Sequence, residues 1–118
     1  MSAITTHVLD TALGRPAAGV PVRLERVPGS AGAGAGKQPD VLAEASTNDD
    51  GRVPQLGPDR VEPGTYRLVF DTTAYFAANA QSSFFPEVAI TFTLADPTQH
   101  YHVPVLLSPF AYSTYRGS

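Results

Sequence analysis

Three histidines, His7, His100 and His102, are the only side chains in this sequence whose ordinary pKa lies near neutrality. Two of them fall in the closing segment His100 to Ser118, together with Tyr112, Tyr115 and Arg116. Chain ends usually carry little structure or chemistry, so this concentration marks the end of the sequence as a site. The third, His7, lies between Thr6 and Val8, and Arg52 follows the cluster Asn48, Asp49, Asp50, Gly51. Imidazoles can take and return protons, and a guanidinium can hold developing negative charge. Taken singly, each has a plainer reading: His7 as a satisfied surface histidine, Arg52 as a solvated arginine at a strand start, Tyr115 and Arg116 as edge-strand residues. Side chains at i and i+2 of a strand share a face, so His100 and His102 could meet one ligand. With His7 they would make a three-nitrogen zinc set. Against that, Asp96, Pro97 and Thr98 place His100 next to a turn. Ser108 lacks a glycine-flanked elbow and precedes Pro109, which makes it a turn residue and not a nucleophile.

Composition narrows the classes. A chain of 118 residues is one domain, able to bury roughly two-thirds of its unfolded surface. Cysteine is absent, which removes disulfides, thiolate nucleophiles and cysteine-containing zinc sites. A net charge of -3 offers no basic excess for a nucleic-acid partner. No stretch reaches the roughly 18 apolar residues of a membrane span, and Met1 to Asp10 reads as neither a basic leader nor a signal run. The expectation is a cytoplasmic protein with no nucleic-acid or membrane partner.

The elements that must position these residues are short strands. Apolar residues recur at a period near two between Gly, Pro, Asn and Asp clusters, the pattern of antiparallel strands and tight turns. Strands are predicted over Ile4 to Leu9, Val20 to Glu25, Val41 to Thr47, Gly64 to Phe70, Val88 to Leu94, Tyr101 to Leu107 and Ala111 to Tyr115. Gly14, Arg15 and Pro16 form a turn. Asp71 or Thr72 can cap a short helix within Asp71 to Gln81. Pro28 to Lys37, nearly all Gly, Ala and Ser, reads as a solvated loop. Seven or eight short strands with one helix indicate a two-sheet sandwich.

The closing Tyr115, Arg116, Gly117, Ser118, the strand Thr6 to Asp10, the turn Gly14 to Ala17 and the turn Asp50 to Arg52 resemble the transthyretin-like 5-hydroxyisourate hydrolases. The resemblance covers essentially the whole chain, and its terminal motif separates these hydrolases from hormone-carrying transthyretins. It implies an all-β sandwich of two four-stranded antiparallel sheets with one short helix, as a single domain over 1–118 with a flexible Gly/Ala-rich loop at about 28–38. It also implies a homotetramer with its sites in a channel between dimers, and no cofactor. The implied reaction is hydrolysis of 5-hydroxyisourate to 2-oxo-4-hydroxy-4-carboxy-5-ureidoimidazoline in urate breakdown. His7, Arg52 and His102 take the catalytic positions, and Tyr115 and Ser118 bind substrate. His102 is preferred to His100 because it directly precedes Val103 and Pro104. The alternative is a carrier holding a small aromatic ligand in the channel.

Overall fold

Strict alternation builds the first strand, β1 (Ile4–Asp10): Ile4, Thr6, Val8 and Asp10 are buried while Thr5, His7 and Leu9 are only partly covered. The computed structural model describes residues 2–28 and 39–118. Beyond β1 come β2 (Arg15–Pro16), β3 (Pro21–Val27), β4 (Asp40–Ser46), β5 (Gly64–Phe70), α1 (Thr72–Ala78), β6 (Val88–Leu94), β7 (Tyr101–Ser108) and β8 (Ala111–Thr114). They form two four-stranded sheets, ordered β2-β1-β7-β8 and β4-β3-β5-β6. Between the sheets lies one core, in which Ile4, Val8, Val105 and Leu107 meet the side of Leu24, Leu68, Phe70 and Val88.

The predicted strands all form with ends within two residues of expectation, and the helix forms inside its predicted segment. Asp71 caps α1 by accepting from the Ala74 N–H at 3.0 Å. Two expectations need correction. Pairing is not antiparallel throughout, because β1 and β7 run parallel, with Thr5 opposite His102 and His7 opposite Pro104. Parallel neighbours need a long connection, and here the whole second sheet lies between them in sequence. Arg15 and Pro16 are also more than a turn, since they pair with Leu9 and Asp10 as β2. The predicted Gly/Ala loop falls, from 29 to 38, outside the described residues. No described helix is long and apolar enough to cross a membrane.

Two local devices fix β1. Asp10, 1% exposed, accepts from the Ala12 and Leu13 N–H groups through Oδ1 and from the Tyr75 hydroxyl at 2.6 Å through Oδ2. Burial and this bond push the Tyr75 pKa up to about 12, so the phenol stays a donor and ties α1 to β1. On the other side, the turn at 48–52 docks directly on β1. Asn48 Oδ1 accepts from the Asp50 and Arg52 N–H groups, and the Val8 N–H donates to Gly51 O at 2.7 Å. Gly51 has φ +75°, and a Cβ there would lie 2.3 Å from Val8 O. Only glycine lets the turn come this close.

Gly51→Ala is therefore expected to destabilise the fold by about 2 kcal/mol or more, from left-handed strain plus the backbone clash. Denaturant unfolding checks this; a midpoint equal to the parent's would mean the turn does not need to sit against Val8.

Candidate functional site

Pairing registers, followed across the outer face of the β2-β1-β7-β8 sheet, bring together residues far apart in sequence. Arg52 bridges to His7, His7 pairs with Pro104, and the β7/β8 register carried on by the His102–Gly117 bridge sets Tyr115 opposite Pro104. In the adjacent row Thr5 pairs with His102, and His102 bridges to Gly117. Paired residues present their side chains on one face of a sheet. Thr5, His7, Arg52, His102 and Tyr115 thus share the face turned away from the core, where none of them disturbs packing.

Pro104 shapes how the closing segment reaches this face. Alternate N–H groups of β7 point toward β1, as Tyr101 N does in donating to Ala3 O at 2.9 Å, so Pro104 stands where a donor toward β8 is needed and has none. The regular ladder stops at Val105 and Thr114, and the Thr114 hydroxyl caps Pro104 O at 2.7 Å. It resumes three residues on, where the Gly117 N–H donates to His102 O at 2.8 Å. Alternation then divides the last residues between two sides. Tyr115 reaches the outer face, while Arg116 turns back to stack on the Tyr101 ring at 4.7 Å and donates to Gln99 Oε1 at 3.0 Å. Gly117 crosses the His102 imidazole so closely that a Cβ would lie 2.5 Å from its Cδ2.

These residues enclose an open cleft of 590 Å³, lined by Thr5, Asn48, Arg52, His100, His102, Tyr115 and Ser118 among others. Four of the five sequence-predicted residues, Arg52, His102, Tyr115 and Ser118, lie in its wall. His7 does not line it, although it stands in the same row as Arg52 and Tyr115, backbone to backbone with Arg52. Thr5 and Asn48 have no role in the sequence reading, His100 enters it only as a candidate ligand of the zinc alternative, and Gly117 only as part of the terminal motif. Thr5 carried a signal, being two residues from His7 and so on its face, but its partner across the sheet depends on the parallel pairing. As for the zinc alternative, no cluster of three or more His, Asp or Glu side chains suited to a metal occurs among the described residues.

His102 has the environment of a base. Its pKa is lowered, first by burial and then by the charges of Arg52, His100 and His7, so the ring is neutral near pH 7. Nδ1 is engaged by Thr5 Oγ1 at 2.8 Å, which leaves Nε2 for a molecule in the cleft. Beside it Arg52, exposed at the mouth, supplies a fixed positive charge.

Comparison with known proteins bears on what the cleft does. The HIUase/Transthyretin family profile matches residues 4–117. A 5-hydroxyisourate hydrolase of Mus musculus is 48% identical over 118 residues, covering 99% of this chain and 96% of that one. The structure of Klebsiella pneumoniae 5-hydroxyisourate hydrolase superposes with a TM-score of 0.83 at 36% identity, covering 100% of both chains. Transthyretin from Sparus aurata superposes with a TM-score of 0.87 at 25% identity, covering 99% of this chain and 97% of that one. Backbone similarity does not separate the hydrolase from the transthyretin; residue identity does.

Two outcomes follow from the geometry. With its pKa below the ordinary value, the folded His102 binds fewer protons than the unfolded one as pH falls through about 6.5. Stability from this group is therefore full above that pH and is lost progressively below it, down to the folded pKa. An NMR titration should place His102 below 6.5, and His102→Asn should flatten the acid side of the stability profile. Gly117→Ala should push the closing segment off the ring, read as altered His102 ring shifts; unchanged shifts would show that the ring tolerates a Cβ there.

Proposed function

We propose, from the premise that the chain belongs to the HIUase/Transthyretin family, that the Arg52–His102 cleft is where it works. The chain hydrolyses 5-hydroxyisourate. The observation that carries this reading is the meeting of the partly buried His102 imidazole and the Arg52 guanidinium in one cleft under the Tyr115 to Ser118 segment. A carrier has no need of that pairing.

Opening a cyclic amide needs a water made nucleophilic, a stabilised oxyanion and a proton for the departing nitrogen. His102 Nε2 takes the proton from water. Arg52 holds the carbonyl oxygen as it becomes negative, its planar fork matched to a flat, oxygen-rich ring. His7, paired with Arg52 in the row next to His102, orients the water or substrate, while Tyr115 and Ser118 hold the ring edge. No cofactor enters this scheme. Ring opening yields 2-oxo-4-hydroxy-4-carboxy-5-ureidoimidazoline.

The same proposal includes a homotetramer and a cytoplasmic location. Two observations support the assembly. The site lies on an outward sheet face and in an open cleft, and all four β8 residues are exposed along a sheet edge. Covering that face with a second copy would close the cleft over its substrate and exclude water.

An ultraviolet time course with 5-hydroxyisourate generated in place by urate oxidase tests the reaction. The protein should accelerate decay above the spontaneous rate, with or without chelator. His102→Asn should abolish the acceleration, and Arg52→Ala should lower kcat/KM by roughly 10²- to 10³-fold, the range for losing an oxyanion partner. Sedimentation should show four chains. Tight binding without turnover would replace the hydrolase with the carrier.

A further inference from the structure

One hydroxyl touches both histidines of the β7 start. Thr5 Oγ1 lies 2.9 Å from His100 Nε2 and 2.8 Å from His102 Nδ1, and the two rings are stacked with centroids 6.4 Å apart. His102 is partly buried in the cleft, whereas His100 is exposed. We infer that Thr5 and His100 are positioning residues that form a proton relay behind His102, connecting the cleft to solvent through the Thr5 hydroxyl. The inference rests on the hydrolase reading above and assigns roles to two residues that reading leaves idle.

The chemistry follows from one proton on one oxygen. A hydroxyl donates one hydrogen bond and accepts others. When the His102 Nδ1–H donates to Oγ1 and the Thr5 O–H donates to His100 Nε2, a lone pair remains on His102 Nε2. As water attacks, its O–H bond breaks, its electron pair forms the new C–O bond, and its proton binds Nε2. The Nδ1 proton passes to Oγ1, and the proton already on Oγ1 passes to His100 Nε2. The positive charge is now on the exposed ring, which releases its Nδ1 proton to solvent. His102 is left neutral with Nε2–H, an acid facing the cleft. When the C–N bond breaks, Nε2 returns its proton to the departing nitrogen and the shifts reverse, with His100 regaining a proton from solvent. The new carboxyl group loses its proton to water, which closes the balance. The relay matters because the groups facing His102, namely Arg52 from the 48–52 turn, His7 from β1 and His100 from the residues just before β7, all disfavour a positive charge on that ring. Moving the charge outward removes it from beside Arg52.

The test has two arms on the intact protein. At neutral pH, long-range ¹H–¹⁵N spectra of the free protein should show both rings in the same tautomer, both Nδ1–H or both Nε2–H. A His102 Nδ1–H ring beside a His100 Nε2–H ring, both donating to Oγ1, would overturn the relay. In the kinetic arm, Thr5→Val should lower kcat by roughly 10- to 100-fold with KM within about twofold. It should also turn a curved proton inventory in mixed H₂O/D₂O into a straight one. Thr5→Ser, which keeps the hydroxyl, should restore both. Thr5→Val with parental kcat, or Thr5→Ser failing to rescue, would reject the relay. Failure of the unsubstituted protein to turn over substrate would instead reject the hydrolase reading, and the tautomer spectra would still decide the relay.

Discussion

The parallel pairing of β1 with β7 is the constraint on which the site depends. Its register sets Thr5 against His102 and His7 against Pro104. A slip of one residue would send every one of these side chains into the core. The register is held from inside: Ile4, Val8, Val105 and Leu107 must all face the second sheet, and Thr6 donates through its hydroxyl to Val103 O at 2.7 Å. Core packing therefore aligns the outer face without touching it. The other site residues then attach to this pair from both flanks, Arg52 through the turn seated on Val8 and Tyr115 through the interrupted β8 ladder.

Glycine and proline do the fine positioning. Gly51 and Gly117 stand where a side chain would collide, one against a backbone oxygen and the other against the His102 imidazole. Pro104 withholds one N–H, and the chain uses that gap to redirect. Arg116, read from the sequence as an edge-strand residue, lies on the opposite side, clamping the segment to Tyr101 and Gln99. Tyr115 gains its place in the cleft because its neighbour is held elsewhere.

Much of this was legible in the residues themselves. Period-two alternation located β5 and β6 to the residue, and Asp71 marked the start of α1. The terminal tetrapeptide pointed to the hydrolases, and Arg52, His102, Tyr115 and Ser118 do meet in one cleft. What alternation cannot encode is which strands are neighbours or in which direction they run. The parallel pair was missed for that reason, and Thr5 with it, since a threonine on a strand is unremarked until its opposite residue is a histidine. His100 stood in a sequence that reads as a turn, yet its ring stacks on His102 and reaches the same hydroxyl. Such contacts belong to tertiary geometry.

The core and the candidate site occupy opposite faces of one sheet. The inward face carries the apolar contacts that hold the two layers together, and the outward face carries the imidazoles, the guanidinium and the closing segment. A change on the outer face leaves the core intact. Such a scaffold can exchange one activity for another by substitutions that folding scarcely registers, and a hydrolase and a transthyretin can then share one backbone. For protein engineering, the same division makes this face a rewritable surface, with its limits set by Gly51, Pro104 and Gly117.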